Sequence, residues 1–268
     1  MWEKEIEVAR QAAEEAGKIL TGLFGQVKRI EKKGKIDLVT EADLQSEKAI
    51  LDIIGRTFPQ DSILAEEAGE ENRPSGRTWI IDPLDGTTNF THGFPFFAVS
   101  IALEADKRGV LGVVYNPHTR EHFEAVTGMG AFLNKKPIHV SQTRRLQDAL
   151  LATGFPYDVH ENPHAVMKSL QEMVVRAQDI RRAGSAAMDL CYVAAGIIDG
   201  FWEEGLKPWD TAAGAVIVRE AGGEISTFEN DSYTPYLSSI VAANPFIHKA
   251  MIKVLNPIVA HNKHDKGV

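Results

Sequence analysis

A chain of 268 residues, 44% hydrophobic and 25% charged, is long enough to bury a sizeable core and excludes a disordered, collagenous or disulfide-scaffold protein. Lys and Arg total 29 against 37 Asp and Glu, and a formal net charge of −8 leaves no global positive field for nucleic acid or an anionic membrane. The single cysteine, Cys191, can form no intrachain disulfide and has no thiolate partner for a metal, which fits a reducing, cytoplasmic setting.

The acidic start MWEKEIEVARQAAEE carries no secretory signal, and no run reaches about 18 apolar residues, so neither export nor membrane spanning is expected. The N-x-S/T sequons at Asn89 and Asn230 then read as chance occurrences. Trp2, Ile6, Ala9, Ala13, Ala16, Leu20 and Leu23 alternate steps of three and four, which predicts a helix ending before Gly25. A second helix is expected from Thr40, with Asp43 completing a capping-box-like start, towards Phe58-Pro59. Residues 62–140 read as short strands with hairpin links: Ser62–Ala65, Thr78–Asp82, Phe97–Glu104, Val110–Tyr115, His122–Val126 and Gly130–Leu133. Helical stretches near 163–178, 185–196, 208–221 and 245–255 then alternate with strands near 149–152, 198–203, 224–227 and 239–243, predicting layered α/β. The polar tail His261–Val268 reads as a frayed terminus.

The chemistry concentrates in WIIDPLDGTTNF, Trp79 to Phe90, a strand that ends in two carboxylates. Pro83 fixes its own φ and biases Asp82 to an extended conformation, so Asp82 and Asp85 share a stiff turn with the Leu84 carbonyl between them. Gly86 lets backbone approach a ligand closely, and a helix opening at Thr87-Thr88 would turn free N–H groups towards an anion. Taken alone, D-x-x-D-G is equally a strand ending in a turn that satisfies its own donors. Its company changes the balance. Glu66-Glu67 follows an apolar strand, and Trp209-Asp210 opens a helix after Pro208. If Glu66, Asp82, Asp85 and Asp210 converge, only cations make the cluster tolerable, and an all-oxygen donor set favours Mg²⁺, then Mn²⁺ or Ca²⁺, over zinc. Hard cations beside an anion cradle imply phosphoryl-group chemistry.

These residues resemble the inositol monophosphatase family of Mg²⁺-dependent, lithium-sensitive phosphatases. The likeness runs through LAEEAG at 64–69, WIIDPLDGTTNFTHGFP at 79–95 and WDTAAGAVIVREAGG at 209–223. DLVTEAD at 37–43, GSAAMDLCYVAAG at 184–196 and GFWEE at 200–204 match in the same order. The resemblance implies a five-layer αβαβα sandwich of the superfamily shared with fructose-1,6-bisphosphatase. An α+β part at 1–145 would hold most metal ligands, and an α/β part at 146–268 would hold Glu203 and Asp210, the two packed as one unit. It implies two or three Mg²⁺ ions on Glu66, Asp82, Asp85, Asp210 and the Leu84 carbonyl, with Mn²⁺ a substitute and Ca²⁺ and Li⁺ inhibitory. Gly86 and Thr87 would receive the phosphate, and Asp85 and Asp210 would also contact the substrate. Glu66, Thr87 and Asp43 would orient and activate the attacking water, and Glu67 would support the metal ligands.

On the substrate side, the resemblance gives Ser185, Ala186 and Glu203 contacts to substrate hydroxyls. Ser185 is equally an ordinary helix cap. The implied reaction is hydrolysis of myo-inositol-1-phosphate by direct attack of water. The alternatives are a broader sugar phosphatase acting on fructose-1,6-bisphosphate, a 3′-phosphoadenosine 5′-phosphate phosphatase, or a non-catalytic partner in transcription and ribosomal-RNA maturation. GTTNF, in place of a GTKEF-like continuation, disfavours the nucleotide substrate, and Glu203 suits neutral hydroxyls. The substrate-side segment GFPYDVHENPH at 154–164 is the most variable part of the pattern. A homodimer is implied by the resemblance alone. Cys191 matches no Cys-x₅-Arg loop and reads as helix packing, Arg181-Arg182 as a solvated pair or an anion contact, and His118 and His122 carry no assigned role.

Overall fold

The structure, a computed structural model, describes residues 2–26, 30–32 and 38–265. Asp37 of the DLVTEAD block and residues 266–268 of the tail lie outside the described residues.

Helix α1 (Glu3–Leu23) buries Ala9, Ala13, Ala16 and Leu20 on the face the spacing predicts, while Trp2 precedes the helix. A short hairpin, β1 (Ile30–Lys32) and β2 (Leu38–Thr40), leads into α2 (Glu41–Thr57). At its start Thr40 Oγ1 accepts from the Ala42 N–H, and Asp43 Oδ2 accepts from the Thr40 N–H at 2.8 Å, a reciprocal cap.

Next come β3 (Ser62–Ala65), β4 (Gly69–Glu71), β5 (Arg77–Asp85), α3 (Thr87–Thr91), β6 (Ala98–Ala105), β7 (Arg108–Asn116), β8 (Glu121–Val126), β9 (Gly130–Leu133) and β10 (Lys136–Ile138). These strands form one eight-stranded sheet in the order β10-β9-β8-β7-β6-β5-β3-β4, antiparallel except where β3 meets β5. The remaining elements are β11 (Leu150–Thr153), α4 (Pro163–Val174), β12 (Asp179–Arg181), α5 (Ala186–Ala194), β13 (Gly200–Glu204), α6 (Pro208–Glu220), β14 (Glu224–Ser226), β15 (Ser239–Ala243) and α7 (Pro245–Asp265). Their five strands form a second sheet, β12-β11-β13-β15-β14, parallel at the β12 side and antiparallel at the other.

Three apolar clusters weld five layers. Helices α1 and α2 pack on the outer face of the large sheet through Leu20, Ile50, Ile54, Trp79 and Ile101. Helices α5 and α6 fill the space between the sheets with Leu190, Val216, Ile80 and Phe201, and α7 covers the small sheet through Trp202, Val241 and Met251. The architecture is the αβαβα sandwich that the resemblance implies. Helix α6 is buried from Asp210 to Val218, as its small, apolar sequence TAAGAVIV requires of a helix wrapped on all sides. Its contact with the large sheet is backbone to backbone: a Cβ on Gly112 of β7 would lie 2.4 Å from the Ala213 carbonyl oxygen.

The structure adds short strands that the sequence pattern does not announce, β4 (GEE), β10 (KPI) and β12 (DIR), each three residues long and lacking alternation. They exist because a neighbouring edge pairs with them. Helix α7 also runs beyond the predicted 255, past Pro257, where buried Ile258 keeps it against the apolar cluster under the small sheet. Among the described residues no helix is long and apolar enough to cross a membrane.

Candidate active site

The DPLDG turn assembles at the open end of β5. Asp82 Oδ1 accepts from the Leu84 N–H at 2.9 Å, which folds the carboxylate back over the turn. Ser46 of α2 donates to the Pro83 carbonyl at 2.9 Å and anchors that turn from below. Gly86 follows at φ +94°, and a Cβ there would sit 3.0 Å from the Phe96 carbonyl oxygen and 3.2 Å from that of Gly184. Both the left-handed backbone and the crowding require glycine at this position. Helix α3 begins at once, so the N–H groups of its first turn, which have no partner within the helix, lie at the β5–α3 corner.

Asp82, Asp85 and Asp210 converge here: one carboxylate oxygen from each lies within 4.8 Å of the others. Asp210 arrives from the first turn of α6, where its Oδ2 accepts from the Lys207 N–H at 2.7 Å. At such separations each charged pair repels by roughly 3–4 kcal/mol at an effective dielectric near 20. Burial, reinforced by the neighbouring carboxylates, pushes Asp82 and Asp210 well above the ordinary carboxylate range. Asp85 is raised by burial to about 6, held down by hydrogen bonds from Ser185 Oγ at 2.5 Å and the Ala187 N–H at 2.8 Å. The donor set contains only oxygen and is short of positive charge, the chemistry a hard divalent cation fits.

Glu66 stands at the end of β3 and adds its charge to Asp82 and Asp210, outside the tight trio. Glu67 is tied to α2 through its N–H, which donates to Glu47 Oε2 at 2.9 Å. Thr87 Oγ1 lies 3.0 Å from Asp43 Oδ1 and 3.1 Å from the Leu84 carbonyl oxygen. Asp43 therefore caps α2 with one oxygen and grips Thr87 with the other.

The carboxylates open into a cleft of about 440 Å³ lined by Gly86, Thr87, Ser185, Ala186, Glu203 and Asp210, among others. Glu203 projects from β13 over Gly154, whose missing side chain gives it room: a Cβ there would lie 2.0 Å from Glu203 Oε2. Burial raises Glu203 to about 8 although Arg182 pulls it down. Ser185 caps α5 through the Met188 N–H at 3.3 Å and donates to Asp85, which lines the same cleft.

Sequence reasoning assigned no role to Asn89 or Asp189 and left Arg182 open between a solvated residue and an anion contact. Asn89, read as part of a chance sequon, donates to the carbonyls of Phe96 at 2.6 Å and Ala183 at 2.8 Å, clamping α3 to the loop before α5. Asp189 lines the cleft, and its place one turn after Ser185 on α5 is the signal that could have found it. Arg182 is the one cation among the described residues lining the cleft, with its guanidinium 5.2 Å from the Phe155 ring centroid. A second cavity, of about 860 Å³, lies elsewhere, along α1.

Comparison with known proteins agrees with this geometry. The model of the inositol monophosphatase family matches residues 1–260. The inositol-1-monophosphatase of Synechocystis sp. is 45% identical over 252 residues, spanning 93% of this chain and 88% of the relative. Nus factor SuhB of Haemophilus influenzae is 43% identical, spanning 94% of this chain and 96% of its own length. The crystal structure of the extragenic suppressor protein suhB from Bartonella henselae superposes with a TM-score of 0.90 at 42% identity, covering 94% of this chain and 98% of that one. The chain belongs to the inositol monophosphatase family, and its acidic corner is the candidate active site of a phosphatase.

Proposed function

We propose that this chain hydrolyses myo-inositol-1-phosphate to inositol and phosphate with Mg²⁺ as cofactor. The observation that carries this reading is the clustering of Asp82, Asp85 and Asp210, two of which, Asp85 and Asp210, line one cleft together with Glu203. Asp82, Asp85, Asp210, Glu66 and the Leu84 carbonyl are the groups that would hold the cation. Bound there, a divalent ion supplies Lewis acidity that neutralises phosphate charge and acidifies water.

The protein's own residues do the rest. Gly86 and Thr87 offer backbone N–H groups to phosphate oxygens at the β5–α3 corner. The Thr87 hydroxyl donates to Asp43 Oδ1, so Oγ1 can take a proton from the attacking water as it passes its own to the Asp43 carboxylate, and Glu66, at the end of β3, would orient that water. Glu203, largely protonated near neutral pH, can both donate to and accept from sugar hydroxyls. A bisphosphate would bring its second charged group to a cleft where Arg182 is the sole cation among the described residues, which disfavours it.

The test is phosphate release, with Mg²⁺ and with or without Li⁺, from inositol-1-phosphate, fructose-1,6-bisphosphate and 3′-phosphoadenosine 5′-phosphate in parallel. Preference for the first, suppressed by Li⁺, supports the reading; equal rates on the first two make it a broad sugar phosphatase, and no release from any of them overturns it. A second reading, protein docking in transcription, draws on the relative named Nus factor SuhB. A metal-ligand variant that retains the cellular phenotype of the wild type would favour it. We read the working form as a cytoplasmic homodimer, and light scattering at the mass of the 29.5 kDa monomer would refute the dimer.

A further inference from the structure

The cavity of about 860 Å³ runs between the outer face of α1 and the β7–β8 turn, away from the acidic corner, and its size falls in the range of small-molecule sites. Its floor is planar and close-packed. The Tyr115 ring lies against Gly17 of α1, where a Cβ would come within 2.5 Å of Tyr115 Cε1, and the His122 ring sits 5.5 Å from it. His118 lines the same wall.

The cations of this cleft are unequally engaged, Arg10 and Lys18 pairing also with Glu7 and Glu15 at its edge. Arg10, Lys18, Arg120 and Lys135 face it against Glu14 and Glu124, in a protein whose net charge is −8. Glu124 is already neutralised, since Arg10 meets it with two hydrogen bonds of 3.0 and 3.2 Å. Lys18 pairs with Glu15, whereas Arg120 and Lys135 have no ion-pair partner among the described residues.

The geometry holds those two free cations at one rim. Arg120 and Lys135 occupy the tips of adjacent hairpins at φ 59° and 66°, a backbone region where side chains other than Gly, Asn and Asp are uncommon. Asn134 links the two tips: its Nδ2 donates to the Arg120 carbonyl at 3.1 Å, and its Oδ1 accepts from the His122 N–H at 3.0 Å. Behind them His122 is 13% exposed, and its Nε2 has no hydrogen-bond partner among the described residues. Two cations beside a pair of aromatic rings tilted 42° to one another form a recognisable binding combination.

We propose that this cleft is a second small-molecule site, for an organic anion whose phosphoryl-type or carboxylate group sits on Arg120 and Lys135 and whose planar ring lies over Tyr115 and Gly17. The probe is phenylphosphonate, whose C–P bond the phosphatase reaction does not cleave, added to full-length protein in chelator so that the carboxylate cluster repels it. Histidine side-chain NMR reads the cleft directly, with His118→Gln and His122→Gln assigning the signals. Expected are saturable shifts of both ring resonances, weakened at least about tenfold in Arg120→Asn/Lys135→Asn, a pair that removes both charges while asparagine tolerates the positive φ. That double variant should retain wild-type phosphatase turnover, which shows that it folds. No saturable shift up to about 10 mM, or a shift unchanged in the double variant, overturns the site. Inorganic phosphate binding as tightly as phenylphosphonate overturns the aromatic half of the proposal.

Discussion

Replacing Asp82 by asparagine separates the electrostatics of the acidic corner from its packing. The asparagine amide oxygen can keep accepting from the Leu84 N–H, now 2.9 Å from Asp82 Oδ1, and its NH₂ would face the carboxylates of Asp85 and Asp210. In chelator the variant sheds a charge that repels each neighbour by roughly 3–4 kcal/mol at full ionisation. The wild type already relieves part of this by holding a proton, as the raised Asp82 and Asp210 affinities show, so the net gain should be about 1–2 kcal/mol. For a chain of this size that is a melting temperature higher by about 2–8 °C. With Mg²⁺ at about a hundredfold its dissociation constant, the wild type should gain about 2.7 kcal/mol that the variant forfeits, reversing the order. Turnover should fall by more than about a hundredfold. Circular-dichroism melts in chelator and in Mg²⁺ read both signs. A variant that melts below the wild type in chelator, or rises as far with Mg²⁺, would refute the reasoning.

Glu203→Gln should slow hydrolysis of inositol-1-phosphate far more than that of p-nitrophenyl phosphate, and equal losses on both would remove Glu203 from substrate recognition. The same variant tests linkage. Glu203 is raised from its ordinary range to about 8, so its contribution to stability is fully present below about pH 4.5 and is lost as pH rises to 8 and beyond. Chelated wild type should therefore lose up to a few kcal/mol more than Glu203→Gln between pH 5 and 9; parallel stability curves would contradict the raised affinity. Gly86→Ala should depress turnover at least about tenfold, with measurable strain in the melt, because its methyl would press on the Phe96 and Gly184 carbonyls. Gly112→Ala should lower stability by about 1–3 kcal/mol through overpacking against Ala213, and an unchanged melting temperature would show that the sheet and α6 can separate cheaply.

The sequence made some features legible because their causes are local. Pro83 between two aspartates, the three–four spacing of α1 and the Thr40-to-Asp43 cap each depend on residues within a few positions of one another. Asp43 shows where local reading stops: its cap is visible from the sequence, but its second oxygen meets Thr87, 44 residues away. Asn89 shows a sequon and the GTTNF pattern to local reading but not its clamp, since the carbonyls it holds lie as far off as Ala183. Strands such as β4 and β12 have no alternation, because a three-residue edge is stabilised by its neighbour and not by its own pattern. The His118–His122 stretch looked like an ordinary hairpin, and only packing against α1 makes it the wall of a cavity.

The way α6 is seated also says something about the order in which the molecule is made. Asp210 can reach Asp82 and Asp85 only after α6 has docked on Gly112, and α6 is enclosed by both sheets. Contacts of such long sequence separation form late, because loop-closure entropy must be overcome before they stabilise anything. A nascent chain emerging from the ribosome therefore carries two of the three clustered aspartates well before it can bring them to the third. The appearance of cation affinity should thus mark the final docking step of folding and serve as its natural reporter.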